Sequence, residues 1–235
     1  MKIAVLTTQT IHHAWYLREL KKVYPYVVCI VETTGVNPPF DVKHSFEKDR
    51  DDYEVKHFFS GECPDIKNIC ESNNVENIND VQAFEFLKKH NPDILISFGS
   101  RKIEKKLIDV YENRIINLHG GDPERYRGLD SHLWAIYHNE WSAIVTTLHM
   151  LNANLDDGEI IQKSSLDLSD IGSLAQLRAL NTQACLKLSI AALKAYEVFG
   201  SFIVTSQQTQ GRYYSFMPTE LKEICQRKFS NYLKL

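Results

Sequence analysis

The chain has 235 residues, 43% hydrophobic and 24% charged, with a formal net charge of −3. That length suffices for one substantial core, and the absence of a basic excess argues against a nucleic-acid partner. The five cysteines (Cys29, Cys63, Cys70, Cys185, Cys225) form no C-x-x-C and read as free thiols of a reducing compartment. MKIAVLTT lacks a signal-peptide pattern, and no apolar run approaches the roughly 20 residues of a membrane span, so a cytoplasmic protein without membrane contact is expected.

Residues 2–8 read as a short buried parallel strand. Thr10 is the expected N-cap of a helix over 11–23, where Ile11, Ala14, Trp15, Leu20 and Val23 recur at helical spacing. Residues 26–32 (YVVCIVE) form a second strand, so the chain opens β-α-β and implies a right-handed crossover in a doubly wound sheet. The intervening turn, Thr7-Thr8-Gln9-Thr10, holds no glycine, which removes the dinucleotide fingerprint and disfavours nicotinamide hydride transfer. Residues 33–65 read as an irregular insertion with a helix near 45–58. Its charges are expected to be solvated, with a mobile flap over the ligand as the alternative.

A short strand follows at 68–74, then an amphipathic helix over 80–89 with Lys88 and Lys89 near its C-terminal dipole. A strand at 93–99, a helix at 102–111 and a strand at 114–119 continue the alternation. A helix from 131 to 139 and strands at 143–151 and 159–168 come next. Residues 173–199 suit a long helix capped by Ser173 and ended by Gly200, apolar on two sides and so buried on two sides. SFIVT and RYYSF around QQTQG form a hairpin pattern, and Thr219 caps a terminal helix.

On the strand at 114–119, Asn117 and His119 share a face, and Gly120-Gly121-Asp122-Pro123 turns the chain directly behind them. With a later carboxylate, Asp156, they compose a site for polar catalysis; a satisfied core pair is the plainer reading of N-x-H alone. His12 and His13 sit at the first helix N-terminus, where anions are favoured, or else on the surface. No H-E-x-x-H or H-x-E plus C-x-x-C spacing occurs, so no metal is expected.

The run IINLHGGDPERYRG at 115–128, followed by DSHLWAIYHNE and by LDDGEII at 155–161, resembles the folate-dependent formyltransferases. The commoner loop of that family, Pro-Ser-Leu-Leu-Pro-x-Tyr-Arg-Gly, is replaced here by a version similar to that of the nucleotide-sugar N-formyltransferases acting on 4-amino-4,6-dideoxy sugars. The resemblance implies an α/β fold with a doubly wound, mostly parallel Rossmann-like sheet. It makes residues 1–200 the catalytic domain and 201–235 a small C-terminal hairpin-plus-helix appendage. It further implies formyl transfer from N10-formyltetrahydrofolate to a dTDP-linked amino sugar, with dTDP-4-amino-4,6-dideoxyglucose foremost, for O-antigen or other surface polysaccharide.

Asn117, His119 and Asp156 then fall on the catalytic triad. Asn117 donates to the oxyanion, and His119 accepts the amine proton or acts as a cation. Asp156 fixes the tautomer of His119, raises its basicity or relays protons. By position, Phe98, Gly99, Ser100, Arg101, Leu151 and Asp157 are the folate candidates. His12, His13, Arg125, Tyr126 and Arg127 are candidates for the acceptor's phosphates or base, since a diphosphate favours forked arginine donors; Arg127 pinning its own loop is the alternative. Asp130, Ser131, His132 and Trp134 either meet the sugar or cap and bury the next helix.

Methionyl-tRNA formyltransferases are rivals in chemistry, but their relatives carry a larger basic C-terminal barrel, against about 35 residues after the long helix here. Glycinamide ribonucleotide formyltransferases carry the commoner loop. A non-catalytic nucleotide-binding module on the same fold would show a broken triad. The appendage, with Tyr213, Tyr214 and Phe216, is expected to form a homodimer interface, with packing on its own chain as the alternative.

Overall fold

The computed structural model describes residues 1–35 and 37–234. Val36, inside the expected insertion, and Leu235, at the end of the expected appendage, lie outside the described residues. The elements are β1 (Ile3–Thr8), α1 (Ile11–Val23), β2 (Val27–Glu32), α2 (Phe46–Glu54), β3 (Glu71–Val75), α3 (Val81–His90), β4 (Ile94–Ser97), α4 (Lys105–Val110), β5 (Ile115–His119), β6 (Tyr126–Gly128), α5 (Ser131–Tyr137), β7 (Val145–Met150), β8 (Ile160–Ser165), α6 (Leu177–Phe199), β9 (Arg212–Tyr214) and α7 (Thr219–Tyr232).

Seven strands form the main sheet in the order β3-β2-β1-β4-β5-β7-β8, parallel from β3 to β5 and antiparallel at β5–β7 and β7–β8. The apolar run of β1 serves both faces. Ile3 and Val5 pack with Ala14 and Leu17 of α1 and Cys185 and Leu188 of α6, whereas Ala4 and Leu6 pack with Ala83 and Leu87 of α3 and Leu107 of α4. Helices therefore cover both sides, and a central strand buried on both faces has no use for alternation. Thr10 caps α1, its hydroxyl accepting from the His13 N–H. Among the described residues, no helix is long and apolar enough to cross a membrane.

The hairpin, the solvated insertion and the Ser173 cap need correction. The hairpin does not form. Residue Thr205 makes a single antiparallel bridge to Ile160, and β9 pairs in parallel with β6, in the loop that follows β5. An alternating pattern identifies a strand but not its partner, and here the partner is the loop after β5, whose backbone needs hydrogen bonds of its own. The C-terminal segment packs on its own chain: Cys225 and Phe229 of α7 are fully buried with Ala135 and Ile136 of α5, and Tyr214 stacks on Tyr126 and Trp134.

The charges of the insertion are also not simply solvated. Glu54 is fully buried and receives the Arg178 guanidinium through Nε (2.7 Å) and Nη2 (2.6 Å), fastening α2 to α6. Lys222 of α7, also buried, donates to Glu47 at 2.8 Å. Finally, Ser173 makes no side-chain cap, and a 3-10 turn at Leu174–Gln176 precedes α6.

Candidate active site

The strand order changes direction between β1 and β4, and ligands of doubly wound sheets bind outside the carboxyl ends of strands at such a point. A cavity of about 520 Å³ opens there, bordered by the ends of β1, β4 and β5, the N-terminus of α1, and residues of α2, α5 and α6.

Asn117 and His119 project from the end of β5 on one face, opposite His149 and Thr147 of β7. Asp156 lies on the turn between β7 and β8, in a left-handed conformation (φ 49°) unusual for a side chain-bearing residue. The Nδ1–H of His149 donates to the Met150 carbonyl (2.8 Å), which leaves Nε2 as an acceptor. Asn117 Nδ2 donates to that nitrogen at 3.1 Å and to Asp156 Oδ1 at 3.3 Å. Two acceptors on one side of the amide fix which end of it is nitrogen.

The second Asp156 oxygen accepts the Gly128 N–H at 2.8 Å and lies 3.6 Å from His119 Nδ1. His119 Nε2 donates to the Tyr126 carbonyl at 2.9 Å. The Tyr126 carbonyl therefore sets the tautomer of His119, and Asp156 faces the other ring nitrogen, where raising its basicity or relaying protons are the roles left to it. Gly121 permits this arrangement: a Cβ there would sit 2.9 Å from His119 Nε2 and 2.6 Å from Ser131 Cβ. Burial pushes the Asp156 carboxyl up, but His119 above all, with the Gly128 N–H, holds the group well below the usual carboxylate range.

The apolar part of the lining includes Phe98, Ile103, Leu151 and Leu155, with Gly99 and Ser100 beside them. Arg101 reaches it, but its guanidinium is engaged by Glu32 and by the Thr34 carbonyl (2.8 Å). Asp157 lies outside, accepting from Asn154 at 2.8 Å beside Arg127. His12, His13, Arg50, Ser131, Arg178 and Asn181 also line the cavity, with the His13 ring 4.5 Å from that of Phe98. Burial lowers the pKa of His13 to about 3 and that of His132 to about 4; His12 is lowered by burial and then by His13 and the cations Arg178 and Arg50. His13 donates through Nδ1 to the Thr8 carbonyl (3.1 Å), and His132 through Nε2 to that of Val145 (2.7 Å). Asp130 borders the cavity but accepts the Met217 N–H at 2.8 Å, and burial raises its carboxyl pKa.

Four acceptor candidates are not brought to the cavity, because nearer protein groups claim them. Arg125 pairs with Glu140 and Ser142. The Tyr126 ring is buried against Tyr214, and only its carbonyl serves the site. Arg127 donates to the carbonyls of Gly211 (2.9 Å) and Leu155 (3.3 Å), so it pins its loop. Trp134 donates to the Ser215 carbonyl at 2.9 Å. The sequence reading missed His149, Arg50 and Arg178. The lone histidine of the expected strand at 143–151 was a usable signal for the first; the arginines carried none, since the folding of α2 onto α6 alone brings them together.

Residues 1–184 match the sequence family described as formyl transferase. A methionyl-tRNA formyltransferase of Clostridium tetani (strain Massachusetts / E88) is 33% identical over 100 residues, 42% of this chain and 32% of that protein. The bifunctional polymyxin resistance protein ArnA of Wigglesworthia glossinidia brevipalpis is 31% identical over 96 residues, 40% of this chain. The match spans a third or less of the length of these curated relatives, 14% for ArnA. Among solved structures, the formyltransferase PseJ from Anoxybacillus kamchatkensis, in complex with UDP-4,6-dideoxy-4-formamido-L-AltNAc and tetrahydrofolate, superposes with a TM-score of 0.59 at 19% identity. It covers 92% of this chain and 86% of its own, a likeness of fold.

Proposed function

This chain belongs to the formyl transferase family, and from that premise we propose that it formylates the amino group of a nucleotide-linked sugar, with N10-formyltetrahydrofolate as donor. The foremost acceptor is dTDP-4-amino-4,6-dideoxy-D-glucose, a precursor for O-antigen or other surface polysaccharide. The observation that carries the reading is the convergence of Asn117, His119 and Asp156 in a cavity of a size that suits small organic ligands. The folate supplies the formyl carbon and, through N10, the leaving nitrogen.

The neutral sugar amine attacks that carbon, the C–N bond forms, and the carbonyl oxygen gains negative charge. Asn117 stabilises that oxygen with an amide hydrogen. The hydrogen facing Asp156 at 3.3 Å makes the longer of its two contacts and is the one more readily redirected. Such a donor contributes about 3–4 kcal/mol in a water-poor site. With Nε2 committed to the Tyr126 carbonyl, His119 takes the proton of the new ammonium on Nδ1, beside Asp156, whose carboxylate stabilises the imidazolium. Collapse of the oxyanion re-forms the C=O bond and breaks the C–N10 bond, N10 takes that proton from His119, and no covalent enzyme intermediate is required.

The apolar walls Phe98, Ile103, Leu151 and Leu155, interrupted by the backbone of Gly99–Arg101, fit a flat heteroaromatic donor. The acceptor is assigned to the polar lining, where His12, His13 and Ser131 face the sugar and Arg50 offers guanidinium hydrogens to the diphosphate, while Arg178, bound through Nε and Nη2 to Glu54 and Asp51, adds its charge. The GGDPERYRG loop supports the sugar acceptor; identity to methionyl-tRNA formyltransferases favours the second reading, tRNA. Incubation with formyl-labelled donor and a panel of amino-sugar nucleotides, glycinamide ribonucleotide and methionyl-tRNA separates them. The proposal expects label in an amino-sugar nucleotide; label in methionyl-tRNA alone overturns the acceptor and keeps the chemistry.

A further inference from the structure

The residues beyond α6 lie outside the stretch that matches the family, yet they close the back of the site. Thr205 bridges Ile160, Gly211 donates to the Pro123 carbonyl, and β9 pairs with β6. Between these anchors, Gln207 Nε2 donates to the carbonyls of Asp156 (3.0 Å) and Gly158 (2.8 Å). Its Oε1 is buried and, among the described residues, has no hydrogen-bond partner. Two carbonyl acceptors fix the amide orientation, so among the described residues the NH2 group makes both of this side chain's hydrogen bonds while its oxygen stays unpaired.

The carbonyls it holds, that of Asp156 itself and that of Gly158, fix the chain directly after the left-handed Asp156, a conformation that costs energy and persists only where surroundings enforce it. Gly158 is pressed so closely on β7 that a Cβ would lie 1.6 Å from the Met150 carbonyl oxygen. With one end of the turn fixed on β7, the remaining freedom is rotation about Asp156. That rotation would carry its carboxylate away from the Gly128 N–H and from His119.

We propose that Gln207 is a positioning residue: its amide hydrogens hold the Asp156 turn in the conformation that keeps the carboxylate against His119 and Gly128. The kinetic part of the test rests on the formyl-transfer reading; the structural part does not. In Gln207→Ala, kcat falls by roughly 10- to 100-fold, as for a catalytic group displaced by about 1 Å, while KM for donor and acceptor stays within about threefold. Gln207→Glu keeps length and shape but places a carboxylate against two carbonyls, so its kcat falls at least as far. Its kcat relative to the unaltered protein rises as pH is lowered, because the protonated acid regains one donor. A purely structural glutamine predicts a lower melting temperature with kcat unchanged and no pH-dependent recovery, and either result overturns the proposal.

A crystal structure of Gln207→Ala decides the same question without any acceptor. The proposal expects Asp156 to leave φ near 49° and its contact with the Gly128 N–H to open; an unmoved Asp156 contradicts it. Should the unaltered protein formylate no acceptor, the functional reading fails, and this structure still decides the role of Gln207.

Discussion

Asn117 and His149 stand directly opposite each other across the antiparallel β5–β7 pair, joined by a 3.1 Å hydrogen bond from the amide to Nε2. The histidine accepts because its other nitrogen is spent on the Met150 carbonyl, so it aims the amide that is proposed to stabilise the oxyanion. His149→Ala releases that amide. We expect kcat to fall by about 10²-fold, near the cost of losing an oxyanion donor, with little change in either KM, as steady-state kinetics would measure.

The buried ion pair between Glu54 and Arg178 makes the insertion part of the cavity wall. Arg178→Ala strands a fully buried carboxylate and should cost about 3–5 kcal/mol in urea unfolding. Replacing both residues with methionine should recover most of that loss. An equal loss in the double variant would show that packing and not charge is at stake.

Arg50 lines the cavity with its guanidinium near Asp51 and Glu47 but bidentate to neither. If it meets the acceptor's diphosphate, Arg50→Ala raises the acceptor KM by about tenfold or more, since charge-assisted hydrogen bonds contribute roughly 1.5–3 kcal/mol. The folate KM should stay unchanged, and initial rates at varied concentrations of each substrate separate the two.

His13 and His132 titrate at about 3 and about 4 in the folded protein, against 6.5 when unperturbed, chiefly because burial disfavours their charged forms. Between about pH 4 and 6.5 the unfolded chain therefore binds more protons than the folded one, and stability rises with pH by up to about 1.4 kcal/mol per unit for each histidine. Asp156 acts at lower pH with the same sign: its depressed carboxyl loses its contribution as pH falls below the unfolded value of 3.8. Urea midpoints at pH 4.5 and 7 test the histidine part, and His132→Gln should show the shallower dependence.

Much of this was legible because it is local. The apolar runs of β1 and β2, the Thr10 cap and the shared face of Asn117 and His119 each depend on residues close in the chain. What the sequence hid are contacts over long separations. Glu54 and Arg178 are 124 residues apart, so the insertion looked like a solvated face. Gln207 sits in a polar stretch that reads as a hairpin turn, and only its 51-residue reach back to Asp156 reveals its use. Arg125, Arg127 and Trp134 had the right chemistry for a ligand, but the C-terminal segment or nearby side chains satisfy them first.

The central claim is that His119 moves the proton when an amino sugar is formylated. Mass spectrometry of dTDP-4-amino-4,6-dideoxyglucose incubated with N10-formyltetrahydrofolate tests it most directly, using the unaltered protein beside His119→Ala. A product heavier by one formyl group is expected, formed at least about 10²-fold more slowly by the variant. Equal rates from both proteins would contradict it.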